Sequence, residues 1–448
     1  MTSEAAAIDF EPGADTIAVE PTPLSASVRS RILIYLGVLL LLMSFGGPGG
    51  GLIGLPISFF MKNKLHMSAH AIANFHLFTG IPAYLAFLFG FVRDRWSPFG
   101  RRDRGYLMLF GGLCALLYAA FAFAPLSSLP VLLGALLLLA CSYLFVLSAY
   151  NGLSATVGQQ HVMPGQVSVV VNVVGSLPGI AALIAGGLLS DQLEGRSGPV
   201  AARVLFLTGA AIMAAIALFG VMRPKAVYDN LHTELRPKTN PLTEFARLLR
   251  YWPVYPALLI WGLWSFAPGS ATPLQFFMQN ELHSNDAAWG YWNAIFAASF
   301  IPTFLLYGWL CQRVSLRPLL WWGTIIGIPQ MIPLAFIHST TGALIAAAPI
   351  GLMGGLCTAA YTDLLIRSCP RGLQGTMLMA SSSLYAIAVR FGDVLGTNLY
   401  DRFKNFNVCV IAITVVYASI LLVLLVVPKR LTTTADGETP EGGAFATQ

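Results

Sequence analysis

Runs of about twenty apolar residues recur along nearly the whole chain, and that recurrence fixes what the chain can become. About 20 residues of α-helix, at 1.5 Å per residue, cross the roughly 30 Å hydrocarbon core of a bilayer. Inside that core every backbone N–H and C=O needs a partner within the segment, so apolar runs of this length demand helices. Charged residues make up only 10% of the 448 residues, against about 25% in soluble domains. A soluble core could not absorb the remaining apolar surface. The expected fold class is therefore all-α and integral to a membrane.

Hydropathy places spans near 31–59, 71–92, 105–124, 130–151, 166–189 and 203–222, then near 254–278, 288–311, 318–337, 343–365, 375–400 and 408–428. Twelve spans divide into two groups of six around one polar stretch. The expected organisation is a cytoplasmic, disordered tail over 1–30, a six-helix bundle over 31–222, a cytoplasmic linker over 223–253, a second bundle over 254–428 and a disordered tail over 429–448. Within the linker, Phe245, Leu248, Leu249 and Trp252 recur at helical spacing beside Arg247 and Arg250, the pattern of a short helix lying on the membrane surface.

Placing both termini in the cytoplasm puts nineteen of the 26 Lys and Arg on the inner side, among them Arg93, Arg95, Arg101 and Arg102. Six fall outside, from Lys62 to Lys404, and Arg390 alone sits within a span. Retention of basic loops in the cytoplasm favours that orientation. It also explains the net charge of +6 without a nucleic-acid partner. The six cysteines show no metal-ligand spacing, and His66 and His70, though four apart, lack a third ligand. No cofactor or metal is expected. The chain lacks a Gly-x-x-x-x-Gly-Lys-Ser/Thr phosphate loop, and it lacks the clustered His, Asp or Glu that a membrane-embedded enzyme would set at one face.

One motif recurs. Gly90-Phe91-Val92-Arg93-Asp94-Arg95-Trp96-Ser97-Pro98-Phe99-Gly100-Arg101-Arg102 follows the second span, and Gly308-Trp309-Leu310-Cys311-Gln312-Arg313 follows the eighth. Both read Gly-x-x-x-[Asp/Gln]-Arg at equivalent places six spans apart, which suggests a duplicated unit. Gly90 permits close helix approach, Asp94 can receive charged hydrogen bonds, and Arg95, Arg101 and Arg102 can reach a carboxylate or a helix C-terminus. Such a cluster, with Gln312 and Arg313 as its second copy, can latch one conformational state.

The first copy resembles the signature loop of the major facilitator superfamily, Gly-x-x-x-Asp-Arg-x-Gly-Arg-Arg, with an insertion around Trp96 to Phe99. The inserted form is similar to that of the folate-biopterin transporter family and of the glycoside-cation symporters. Cys369-Pro370-Arg371-Gly372-Leu373-Gln374-Gly375-Thr376-Met377-Leu378-Met379-Ala380-Ser381-Ser382-Ser383 resembles the folate-biopterin loop before the eleventh span. The likeness ends at the fourth span, where Tyr150-Asn151-Gly152-Leu153-Ser154 carries no carboxylate. The resemblance implies a secondary transporter of two six-helix bundles, monomeric, in a bacterial inner membrane. It would move a small organic solute by alternating access with a proton or monovalent cation gradient. A receptor or assembly factor on the same fold is the rival reading.

A charge at mid-bilayer costs about 2.5–3.5 kcal/mol on insertion scales, so ionisable groups deep in a span need a partner, water or a task. Arg390 and Asp393, three apart in the eleventh span, are expected on one helix face and able to pair, with Arg390 receiving an anionic substrate group and Asp393 exchanging a proton or cation. His76 is a candidate proton carrier. Asn151, Tyr150, Tyr385, Gln275 and Asn293 are candidate neutral liners of the substrate path, and Asn172 adds a further amide. Asp363 and Asp191 fall near span ends, where burial is expected to cost little. Ser44-Phe45-Gly46-Gly47-Pro48-Gly49-Gly50-Gly51 should interrupt the first span.

Overall fold

A computed structural model describes residues 24–49, 78–123, 129–176, 198–229, 248–284 and 286–438, with isolated positions between them. His66, His70, His76 and Asp191, and residues 242–245 and 247 of the predicted linker helix, lie outside the described residues, while 248–250 are helical. Helices numbered to match the twelve predicted spans are α1 Ala26–Gly46, α2 Ala86–Arg95, α3 Arg102–Phe123, α4 Leu129–Gln160, α5 over 164–176 and α6 Gly198–Val221. The second group is α7 Val254–Ser265, α8 Asp286–Leu310, α9 Leu316–Gly327, α10 Thr340–Ser368, α11 Gln374–Phe403 and α12 Phe406–Leu424. Among the described residues nine helical stretches are long and apolar enough to cross a membrane. The other three predicted spans are the second, fifth and seventh, which are broken or described only in part.

Two hydrophobic cores divide the chain where the polar stretch does. One packs Leu36, Leu39, Tyr106, Tyr118, Leu139 and Met213 from the first six helices. The other packs Ile260, Trp292, Phe304, Ile350, Tyr361 and Ile413 from the last six. Each core is built mainly from its own half, with Ala155 of the first half joining the second core and Ile366 of the second joining the first. A small third cluster, Ala86, Leu144 and Met379, spans the boundary.

Small residues let helices meet backbone to backbone. A Cβ on Gly351 of α10 would lie 2.5 Å from the Phe296 carbonyl oxygen and 2.7 Å from Ser299 Cβ of α8. Gly355 packs against α8 in the same way, with Thr303 and the Phe300 carbonyl, while Gly354 makes room for the Gln330 side chain. The predicted interruption of the first span is present: α1 stops at Gly46, and Gly47 turns extended ahead of Pro48. Tyr118 then donates to the Gly46 carbonyl at 3.2 Å, a partner beyond the end of the helix, and Tyr143 adds a second donor at 3.0 Å to the Met43 carbonyl, which also accepts from the Gly47 N–H.

Span 7 breaks after Ser265 and resumes as the short helix Thr272–Phe276. Gly269, at φ +108, sits in the break against Gly396 of α11. Span 4 ends later than hydropathy suggests, at Gln160 rather than 151. Its last nine residues are too polar for an apolar run yet remain helical, with the Ser154 and Thr156 hydroxyls donating back to the Asn151 and Gly152 carbonyls.

The expectation of disorder from 429 onward is corrected over 429–438. Lys429–Leu431 forms a 3-10 turn, and Leu431, Thr432 and Asp436 are buried. Composition marked this tail as polar and mobile, but specific hydrogen bonds hold it.

Overpacking of this kind costs about 1–3 kcal/mol, so Gly351→Ala should lower the thermal midpoint of the detergent-purified protein. An unchanged midpoint would mean that α8 and α10 can separate without penalty.

Candidate functional site

The two bundles meet through polar contacts at one end, formed by the loops near 95–102, 160–164 and 368–374 and by the segment 429–438. Asp94, at the end of α2, reaches across to the start of α11. It accepts from the Gly375 N–H at 3.1 Å, the Thr376 N–H at 2.6 Å and the Thr376 hydroxyl at 2.7 Å. The first N–H groups of a helix have no partner of their own and carry the positive end of its dipole, so a carboxylate there is doubly favoured. Arg93 bonds Asp94 at 2.7 Å and also pairs with Asp103 of α3. All three are buried.

Glycines make this geometry possible. A Cβ on Gly90 would collide with the Gly375 carbonyl, one on Gly152 with the Arg93 guanidinium, and one on Gly375 would lie 2.7 Å from Asp94 Oδ1. Gly90 thus lets α2 approach α11 closely, and Asp94 receives the N–H groups at the start of that helix. Arg95, half-buried, lies over the Phe91 ring at 5.5 Å. Arg101 is exposed, with a 3.7 Å contact to the Met108 sulfur, and the Arg102 N–H donates to the Ser97 hydroxyl.

The second motif copy does not repeat the latch, which corrects the expectation for Gln312 and Arg313. Gln312 is exposed and donates to the Gly308 carbonyl of its own helix, and Arg313 lies over Trp309 at 4.1 Å. A glutamine cannot bring the charge that Asp94 brings. The equivalent carboxylate comes from the C-terminal segment. Asp436 accepts from the Gly165 N–H at 3.2 Å and the Gln166 N–H at 2.9 Å at the start of α5, and from Arg367 at 3.1 Å. Arg367 bonds Asp363 at 2.7 Å, and Asp363 accepts from the Tyr307 hydroxyl at 2.6 Å. Asp363 is 0% exposed, so its burial is complete and is offset by these partners. Burial, then the neighbouring Asp363, pushes the Asp436 carboxyl up to about 7, against the opposing pull of Arg367 and the two N–H groups.

Between the two carboxylates, Gln159 at the end of α4 donates to the Ile366 and Cys369 carbonyls at 2.9 and 2.7 Å and accepts from Gln374 at 3.2 Å. Those carbonyls belong to the C-terminal end of α10 and the residue beyond it, so both ends of two helices are satisfied across the boundary.

The intramembrane candidates do not converge on one point. Arg390 and Asp393 form no ion pair: Arg390 is exposed, and Asp393 instead accepts from the Thr272 N–H at 2.9 Å and hydroxyl at 2.8 Å, capping the resumed half of span 7. The broken helix offers fixed donors that outcompete a mobile guanidinium. Gln275 is half-buried on that same short helix. Tyr385 is half exposed, 6.3 Å from Trp261. Asn151 contacts Met379 Sδ at 3.3 Å across the boundary, and Asn172 donates to Thr362 at 3.2 Å. Tyr150 is buried with no hydroxyl partner, and Asn293 is exposed and bonded to its own helix. A crevice of about 920 Å³ opens between α1 and α5, beside Gln166 and Gln312, and none of the predicted substrate residues lines it.

A helical membrane protein whose two halves are hydrogen-bonded to each other at one end defines a class, and comparison with known proteins identifies it. The family described as the Major Facilitator Superfamily matches residues 164–397. The chain belongs to that superfamily, whose members are transporters. No curated protein matches it. Similar solved structures include a bacterial homologue of the iron transporter ferroportin in an outward-facing state, with 16% identity and a TM-score of 0.66 over 88% of this chain and 98% of that one. FucP, the E. coli fucose:proton symporter, in its outward conformation shares 14% identity, TM-score 0.64, over 88% and 98%. The human organic anion transporter MFSD10 shares 14%, TM-score 0.61, over 90% and 100%. At these identities the likeness is one of fold.

Breaking a buried pair by removing one partner costs about 3–5 kcal/mol, because it strands the other charge. Arg93→Met should therefore lower the thermal midpoint sharply, while Arg223→Ala, which breaks an exposed pair with Asp229, should cost about 1 kcal/mol or less. Equal shifts for the two variants would contradict the buried triad.

Proposed function

We propose that this chain is a secondary active transporter for a small organic solute with an acidic group, working by alternating access with energy from a proton or cation gradient. The observation that carries this reading is the one-ended seal, in which Asp94 closes on Gly375 and Thr376 across two separately packed bundles. A contact of that kind can be made and broken as a unit, which rocking bundles require.

The sealed end carries Arg95, Arg101, Arg102, Arg313, Arg371, Lys429 and Arg430 and is the cytoplasmic face of a bacterial inner membrane in this reading. Closure there makes the conformation outward-facing, in line with the states in which FucP and the ferroportin homologue were solved. Arg390, exposed on α11 and in no ion pair among the described residues, is the group proposed to receive the solute's acid. Support comes from a symporter and an organic anion transporter among the similar folds. Asp393 is the proposed coupling group. Protonation would weaken its hold on Thr272 and loosen the break in span 7 beside the solute.

Proteoliposomes loaded at different internal pH and offered labelled organic anions provide the test. Expected is uptake driven by the gradient, reduced at least tenfold by Arg390→Ala and uncoupled from pH by Asp393→Asn. Flux indifferent to both substitutions would sink the site assignment. The absence both of flux and of thermal stabilisation by any solute would favour a receptor on this fold.

A further inference from the structure

Residues 429–438, which follow α12, bond to both bundles. They leave α12 on the side of the second bundle, where Leu431 joins its core and the Thr432 carbonyl accepts from the Arg317 N–H at 2.8 Å. The Thr434 carbonyl accepts from Arg367 at 2.9 Å, and the Asp436 N–H donates to the Cys311 carbonyl at 2.8 Å. The next contacts belong to the other bundle. Asp436 takes the two N–H groups at the start of α5, and the Gly437 N–H donates to the Val162 carbonyl at 2.7 Å.

Asp94 and Asp436 take matching places in the two halves. Asp94 comes from the first bundle and caps α11 of the second; Asp436 comes from the second and caps α5 of the first. The glycines match as well, since a Cβ on Gly165 would lie 2.7 Å from Cys311 Cβ and 2.9 Å from Asp363 Oδ2. The second motif copy, carrying Gln312 where the first carries Asp94, supplies no acid.

We propose that the segment 429–438 is a gating strap that replaces the missing second latch, holding the basic face closed through Asp436 and releasing it when Asp436 leaves the start of α5. This rests on the alternating-access reading above. A strap attached to one bundle must let go of the other whenever that face opens, so its bonds enter the conformational equilibrium directly.

Release depends on pH. The titratable groups around Asp436 are Asp363 and Arg367 from α10, with Tyr307 of α8 behind Asp363, and the Cys311 thiol, whose sulfur is 3.7 Å away. From α5 come the N–H groups of Gly165 and Gln166, and Glu438 of the strap itself is bound to the Ala435 N–H. Two acids share one arginine, so the strapped state favours a bound proton. Burial and Asp363 raise the Asp436 carboxyl to about 7, and release returns it to its ordinary value. The proton therefore stabilises the strapped state. Closure is strongest below the ordinary carboxyl value of about 4 and weakens as pH rises to about 7, by at most about tenfold per pH unit for one proton, and above about 7 it no longer changes with pH.

Spin labels at Met222→Cys and Leu425→Cys, one on each bundle and both exposed, report the closure in nanodiscs without substrate. The full chain should show a short distance at about pH 4.5 and a long-distance population that grows from there to about pH 7 and stays level above about pH 7.5. Asp436→Ala should populate the long distance at every pH, and Asp436→Asn, which is neutral throughout, should stay short and lose the pH dependence. Ending the chain after Pro428 should match Asp436→Ala; where that chain fails to fold, Asp436→Ala decides. Wild-type distances in Asp436→Ala at every pH, with Asp94→Asn still opening the pair, would overturn the strap and leave the alternating-access reading intact. No response to Asp94→Asn either would overturn that reading as well.

Discussion

The contact on which the rest depends is a carboxylate seated on the first N–H groups of a helix that belongs to the other half of the molecule. At the start of α11 two N–H groups and a hydroxyl point at Asp94. Buried donors of this kind cost about 1–3 kcal/mol each if left without an acceptor. The bundles can part only where water can take the carboxylate's place, and the membrane face is such a place. A seal built at mid-membrane from the same groups would not reopen. Its position at the end of the bundle therefore follows from the energetics of breaking it.

Once Asp94 is fixed, its neighbours follow. A buried carboxylate needs a cation, which Arg93 supplies, and Arg93 in turn needs Asp103 and the space left by Gly152. The second half repeats this solution with Asp363, Arg367 and Asp436. One difference separates them. The first triad holds its latching acid on the same stretch of chain as its arginine, whereas the second borrows its acid from beyond the last helix. A borrowed acid can be withdrawn without disturbing a transmembrane helix.

Much of this was legible before the fold was known. Apolar runs of the right length fix helical spans, because the bilayer admits little else, and the glycine cluster at 46–51 marks the break inside the first predicted span where α1 ends. Gly90 and Asp94 were legible because their spacing states a mechanism. Asp436 was not: in Thr432-Thr433-Thr434-Ala435-Asp436-Gly437 nothing periodic or apolar announces a buried residue, and its partners lie at positions 165, 166 and 367. Gln312 did carry a signal, since a duplicated motif that lacks its acid poses the question of where the acid went. Hydropathy also misjudged the end of α4, because it measures where lipid ends and not where a helix ends.

The eleventh span shows how spacing alone misleads. Residues three apart on a helix face one another, and a lone arginine and aspartate at that distance read as a pair. The pairing fails because span 7 breaks beside them. A helix restarted inside a membrane presents an N–H with no partner, which competes for the carboxylate on favourable terms, being fixed in place and costing no side-chain entropy. Asp393 satisfies Thr272, and its negative charge is spent against the positive end of that short helix. Arg390 is left exposed and out of any ion pair among the described residues. In the proposed function, an arrangement that neutralises the acid locally and leaves Arg390 without an acidic partner among the described residues is what would draw an anion there, whereas the expected pair would have favoured neither sign.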